Sequence, residues 1–137
     1  MIDIKFRIRN IDEKKFEDLR FITMIYDDKG IEVFTDDGDI LENYELNQYT
    51  GEKDKNGVEI YVGDIFRYKY DADKISTGII KLGKRKDSIS NRSKEIGFYV
   101  DWDNYLLRKD LGYWAEKTDI QGNVYDNPEL LGDELYV

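Results

Sequence analysis

The 137-residue chain has no cysteine and no histidine. Together these absences remove the thiolate nucleophile, the disulfide framework, the imidazole base and the usual zinc ligands. Most hydrolase triads and zinc enzymes are thereby excluded. There is one proline, Pro128, and no apolar run near the roughly 18 residues of a membrane span. The opening MIDIKFRIRN alternates charged and apolar residues instead of offering the uninterrupted apolar region of a secretory leader. Lack of cysteine is compatible with a reducing compartment without requiring one, and with this opening a cytoplasmic location is expected, without a membrane partner.

What is present points to β structure. Eleven tyrosines, six phenylalanines and two tryptophans give aromatic side chains a large share of the candidate core, and such residues favour pleated, half-buried surfaces. In IDIKFRIR the apolar Ile2, Ile4, Phe6 and Ile8 alternate with Asp3, Lys5, Arg7 and Arg9, which predicts a strand with one solvated face. Residues 11–20 read as a turn of helix or a charged connection. The run FITMIY at 21–26 predicts a strand, Asp27-Asp28-Lys29-Gly30 a tight turn, residues 31–35 a second strand and Asp36-Asp37-Gly38-Asp39 another turn. Further strands are expected at 58–62, 65–70, 78–82 and 97–102, with Phe66, Tyr68 and Tyr70 facing the core and DADKIST as a loop. A Gln-Gly-Asn turn is expected near 121–123, and Asn127-Pro128 predicts a short terminal helix.

Charge is unevenly spread. The net value is −9, yet KLGKRKDSISNRSK at 81–94 carries +5, leaving −14 elsewhere. Between Asp27 and Glu45 there are eight acids and one lysine. Lys81, Lys84, Arg85, Lys86, Arg92 and Lys94 form a candidate interaction arm for phosphate or an acidic protein. The competing reading is a solvated hairpin loop. Net charge favours a protein partner over nucleic acid, because an acidic body repels DNA within a screening length of about 10 Å. Uneven charge and strand edges also suit a homo-oligomer.

The carboxylates offer two further candidates. Asp36, Asp37 and Asp39, or Asp101 and Asp103, have the hard oxygen ligands that divalent cations prefer. Glu52, Asp54, Asn56 and Gly57 imitate the start of an EF-hand loop, but Gly63 occupies the twelfth position instead of glutamate. The ordinary reading of such clusters is solvated turns. On a strand, Asp101 and Asp103 share a face while Trp102 packs into the other, and with Asp64 as a third acid they would suit Mg²⁺ chemistry. The tyrosines, among them Tyr49, Tyr61, Tyr68, Tyr70, Tyr99, Tyr105 and Tyr113, read as a base-stacking or peptide groove or, more simply, as core filler.

The block QYTGEKDKNGVEIYVGDIF at 48–66, with IKFRIRN near the start and GNVYDNPELL near the end, resembles the YopX family of phage and prophage proteins. The matching residues of the central block, Tyr49, Gly51, Asp54, Asn56, Gly57, Tyr61, Gly63 and Asp64, read as structural. The chain differs from the family pattern at Arg9 and Asn10, and at Glu52. The resemblance implies one domain over 1–137, with a β region at 1–47 and a region at 48–137 holding an SH3-like barrel. The fold expected is mainly β, several coiled antiparallel sheets with at most short helices. Gly63-Asp64-Ile65-Phe66 followed by Gly78-Ile79-Ile80 fits the start of such a barrel. No cofactor, metal or catalytic residue comes with the resemblance. The function expected is a non-enzymatic intracellular interaction module acting on a host or phage protein. Alternatives are an acidic mimic of nucleic acid that occupies a DNA-binding host protein, a Mg²⁺-dependent carboxylate enzyme, and nucleic-acid binding through the basic segment.

Overall fold

The computed structural model describes residues 4–84, 96–104 and 106–132. The chain is mainly β, with antiparallel sheets and only short helices. It divides into two compact units, Lys5–Gln48 and a larger one comprising Met1–Ile4 and Tyr49–Val137.

In the smaller unit β1 (Phe6–Asn10) pairs on one side with β2 (Lys15–Phe16) and on the other with the first half of β5 (Tyr44–Lys53). A separate hairpin joins β3 (Ile22–Asp27) to β4 (Gly30–Thr35). The expected strands and turns at 21–39 are therefore present. The opening strand is shorter than its alternation predicts and is covered on both faces. Ile4 is exposed, whereas Arg9 is buried, because the guanidinium groups of Arg7 and Arg9 lie 4.4 and 4.9 Å from the Phe16 ring centre. Cation–π stacking lets an arginine stem enter a packed face. Residues 11–20 hold the short β2 and lead into a 3-10 turn, Leu19–Phe21, capped by the Asp18 side chain.

The larger unit begins with the second half of β5, which pairs with β6 (Glu59–Tyr61). A curled half-barrel sheet follows, made of β7 (Asp64–Asp71), β8 (Lys74–Lys84), β9 (Ile96–Trp102) and β10 (Ile120–Asn123), in the order β10-β7-β8-β9. Its core gathers Ile60, Phe66, Ile80, Val100, Trp102, Leu111, Trp114 and Ala115. Gly78 sits beneath this cluster because nothing larger fits: an added Cβ would meet Val100 Cγ1 at 2.5 Å and Trp102 Cε3 at 2.8 Å.

Several local expectations change here. Most of DADKIST is strand, since β7 and β8 reverse tightly between Asp71 and Lys74. Tyr70 is exposed, and Ile65, expected on the face opposite Phe66, is as buried as Phe66 itself. The Gln-Gly-Asn segment is the edge strand β10, with its register shifted between Ile120 and Gly122. A five-residue helix, α1 (Leu111–Ala115), carries Trp114 into the core, where its indole N–H donates to the Arg108 carbonyl at 2.6 Å. The terminal helix is a 3-10 turn, Pro128–Leu131.

Candidate interaction surface

The β3–β4 hairpin is short of cover. Its register places Met24 and Tyr26 on one face with Val33 and Ile31, and Thr23 and Ile25 on the other with Phe34 and Glu32. Val33 is fully buried, but Tyr26 is 81% exposed, Ile25 48%, Ile31 39% and Met24 38%. Apolar side chains thus meet solvent on both faces. A two-stranded hairpin gains its stability from packing, and clustered exposed apolar residues mark interaction sites. Acidic turns bracket the patch: Asp27 and Asp28 at one end, Asp36, Asp37 and Asp39 at the other, with Glu32 between. Lys29 is the one basic residue from Asp27 to Glu45.

Of the carboxylates singled out in the sequence, Asp54, Asp64 and Asp103 accept backbone N–H groups. Asp54 Oδ1 accepts the N–H groups of Asn56 and Val58, both at 2.9 Å, and Oδ2 accepts Ile120 N–H at 3.0 Å. Burial alone would raise its pKa, but these three bonds and Lys55 hold it below the ordinary carboxylate value. Asp64, also buried, accepts Tyr61 N–H at 2.8 Å. Asp103 accepts the Ser76 hydroxyl and, at 3.1 Å, Thr77 N–H. Asp101 pairs with Lys81 at 2.6 Å. Asp101 lies in β9 and Asp103 just past its end, with Trp102 between them in the core, and the two bond different partners. Among the described residues no three carboxylates converge on a metal-sized site.

Other motif residues shape the chain. Gly51 has φ +86° between the paired Tyr49 and Lys53, where the β5–β6 register shifts. Only glycine takes that conformation freely. The Tyr49 and Tyr61 rings lie 5.5 Å apart across the same two strands. Asn56 and Gly57 complete the turn that Asp54 closes, with Gly57 N–H donating to the Asp54 carbonyl at 2.9 Å, and Gly63 N–H donates to the Ile80 carbonyl at 2.9 Å. Of the candidate basic arm, Lys81 and Lys84 belong to β8; Arg85, Lys86, Arg92 and Lys94 lie outside the described residues, as does Tyr105. Tyr68 packs edge-on against Trp114 at 4.8 Å, so it serves the core.

Two shallow depressions in the larger unit measure about 280 Å³, beside Thr50, Glu52, Phe98 and Leu111, and about 220 Å³, beside Ile79, Lys81, Asp101 and Leu131. Both fall short of the roughly 300–1,000 Å³ of ordinary ligand pockets. Among the described residues no helix is long and apolar enough to cross a membrane.

Residues 4–132 match the family described as YopX protein. The chain belongs to the YopX family. The solved crystal structure of protein EF1440 from Enterococcus faecalis is similar to this YopX chain, with 26% sequence identity and a TM-score of 0.61. The alignment covers 96% of this chain and 99% of that one. No curated protein matches. The exposed hairpin was legible in sequence only as strands and turns; the missing signal was that FITMIY lacks the apolar–polar alternation of a half-covered strand.

Proposed function

We propose that this YopX chain is a non-enzymatic protein-binding module, acting inside a bacterial cell on a host or phage protein, and that the β3–β4 hairpin is the surface it binds with. The observation that carries this reading is the exposure of Met24, Ile25, Tyr26 and Ile31 on one hairpin. An exposed apolar cluster framed by charge fits the plan of a protein interface, an apolar centre within a polar rim. Occupation of Asp54, Asp64 and Asp103 by backbone and hydroxyl donors supports a scaffolding role for the same residues that an enzyme would use.

The test compares tagged wild type with a Met24→Ser, Ile25→Thr, Tyr26→Ser variant on nuclease-treated bacterial lysate, quantified by mass spectrometry. Proteins held by the wild type are expected to fall about tenfold on the variant, as when interface anchors are truncated. Thermal unfolding checks that both are folded. Equal recovery on the two, loss of all recovery on nuclease treatment, or an empty column overturns the reading.

A further inference from the structure

The hairpin register fixes which backbone groups of β3 face outward. Asp27 and Gly30 pair across the two-residue connection Asp28-Lys29. In such hairpins the flanking pair exchanges both hydrogen bonds, and bonded and non-bonded pairs alternate from there. Asp27 with Gly30, Ile25 with Glu32 and Thr23 with Phe34 therefore bond each other. Ile22, Met24 and Tyr26 on β3, and Ile31, Val33 and Thr35 on β4, turn their N–H and C=O groups away from the partner strand.

On the β4 side four of the six outward groups are used, the carbonyls of Ile31 and Val33 and both groups of Thr35, with Gly38 N–H donating to the Thr35 carbonyl at 3.0 Å. Leu41 N–H donates to the Val33 carbonyl at 2.8 Å, Thr35 N–H to the Asp39 carbonyl at 2.9 Å, and the Tyr44 hydroxyl to the Ile31 carbonyl at 3.2 Å. On the β3 side Ile22 N–H donates to the Leu19 carbonyl. Among the described residues none bonds the outward N–H or C=O of Met24 or Tyr26.

Edge strands in native proteins are ordinarily guarded by lysine, proline, a bulge or brevity. β3 spans six residues in unbroken register with β4, and its sequence ITMIYD contains neither proline nor a basic residue. Four of its six side chains, Ile22, Met24, Ile25 and Tyr26, are apolar or aromatic. A strand laid beside it would gain backbone bonds from Met24 and Tyr26 and cover apolar side chains on both faces, the mode by which extended peptides add to exposed sheet edges.

We infer that β3 is a strand-addition site for an extended, basic segment of a partner protein. This rests on the protein-binding reading above and specifies its mode and chemistry. Charge decides the occupant. Lysine or arginine at the hairpin end of the incoming strand would meet Asp27 and Asp28. At the other end β3 is preceded by Arg20, whose charge is paired with Asp18 at 2.6 Å, and Asp36 and Asp37 follow β4 across the pair. A second copy would instead bring its own eight acids against these, at −9 per chain.

The experiment measures binding to the full chain of a short, end-blocked fluorescent peptide of alternating lysine and valine, by anisotropy, with the glutamate–valine counterpart as control. Saturable binding that weakens with salt is expected for the lysine peptide and none for the acidic one. Met24→Pro removes an outward N–H while sparing the β3–β4 bonds, so it should weaken binding about tenfold or more, whereas Met24→Val should stay within about twofold. Tyr26→Pro against Tyr26→Phe repeats the comparison should Met24→Pro fail to fold, judged by circular dichroism.

If proline and its apolar control lose binding equally, strand pairing is overturned and the side-chain surface stands. If neither loses binding, the hairpin is not the site and both readings fall. A lysine peptide that does not bind, or an acidic one that binds as well, overturns strand addition, and the lysate comparison still decides the broader reading.

Discussion

Asp54 and Ile120 are 66 residues apart in sequence and meet through one hydrogen bond, from the Ile120 N–H to Oδ2 of the aspartate. The other oxygen serves Asn56 and Val58, so a single side chain closes the β5–β6 turn and holds the start of β10. Asp54→Ala leaves three backbone donors without this acceptor and should cost about 3 kcal/mol or more; Asp54→Asn, which turns one acceptor into a donor, about 2 kcal/mol. Urea unfolding at neutral pH measures both.

The same carboxyl sets a pH signature. Its folded pKa is depressed, so the stability it contributes is complete above the unfolded value of 3.8 and is lost as pH falls through the lower folded value. The gap in unfolding free energy between wild type and Asp54→Asn should be constant above about pH 5 and narrow steadily below 3.8. A gap independent of pH down to acid unfolding contradicts this account.

Gly78→Ala tests the core. The added methyl meets Val100 and Trp102 at 2.5 and 2.8 Å, both fully or nearly fully buried. The expected cost is about 1–3 kcal/mol, with a change in tryptophan fluorescence as Trp102 is displaced. Gly51→Ala separates a different cause, since an added Cβ at that position meets nothing within 4 Å. Only its φ of +86° opposes the change, at about 1–2 kcal/mol, and Gly51→Asn should recover part of it.

Asp101 and Asp103 should behave unequally. The Asp101–Lys81 pair is well exposed, so Asp101→Asn is expected to change stability by less than about 0.5 kcal/mol. Asp103→Asn loses charge-assisted bonds to Ser76 and Thr77, worth about 1.5–3 kcal/mol. Mg²⁺ should shift the melting temperature of neither. Equal effects, or metal-dependent stabilisation, would restore the two as a cooperating pair.

The hairpins were legible in the sequence because turn chemistry is local: Asp27 to Gly30 and Asp54 to Gly57 mark reversals without knowledge of the rest. The β7–β8 pairing was legible as two strand-like runs, 65–70 and 78–82, on either side of a short polar connection. Three features depended on long-range contact. Arg9 looked solvated because stacking on Phe16 is invisible in an alternation pattern. α1 is too short for a helical period to show, and its place is set by Trp114 packing against Trp102 and Tyr68. Asp54 read as a structural turn residue, but its bond to Ile120 was invisible because that partner lies far along the chain. The candidate interaction surface was visible as elements but not as a surface, since exposure depends on what the fold leaves uncovered.

The acidic turns at the ends of β3 also bear on handling the protein. With no guard residue inside the strand, mutual repulsion between those turns would oppose edge-to-edge pairing of two copies. Such repulsion acts over about 10 Å at 0.1 M salt but only about 3 Å at 1 M. Concentrated brine would therefore weaken that opposition and favour pairing of two chains through β3, which closes as a dimer because residues 38–41 occupy the outer edge of β4.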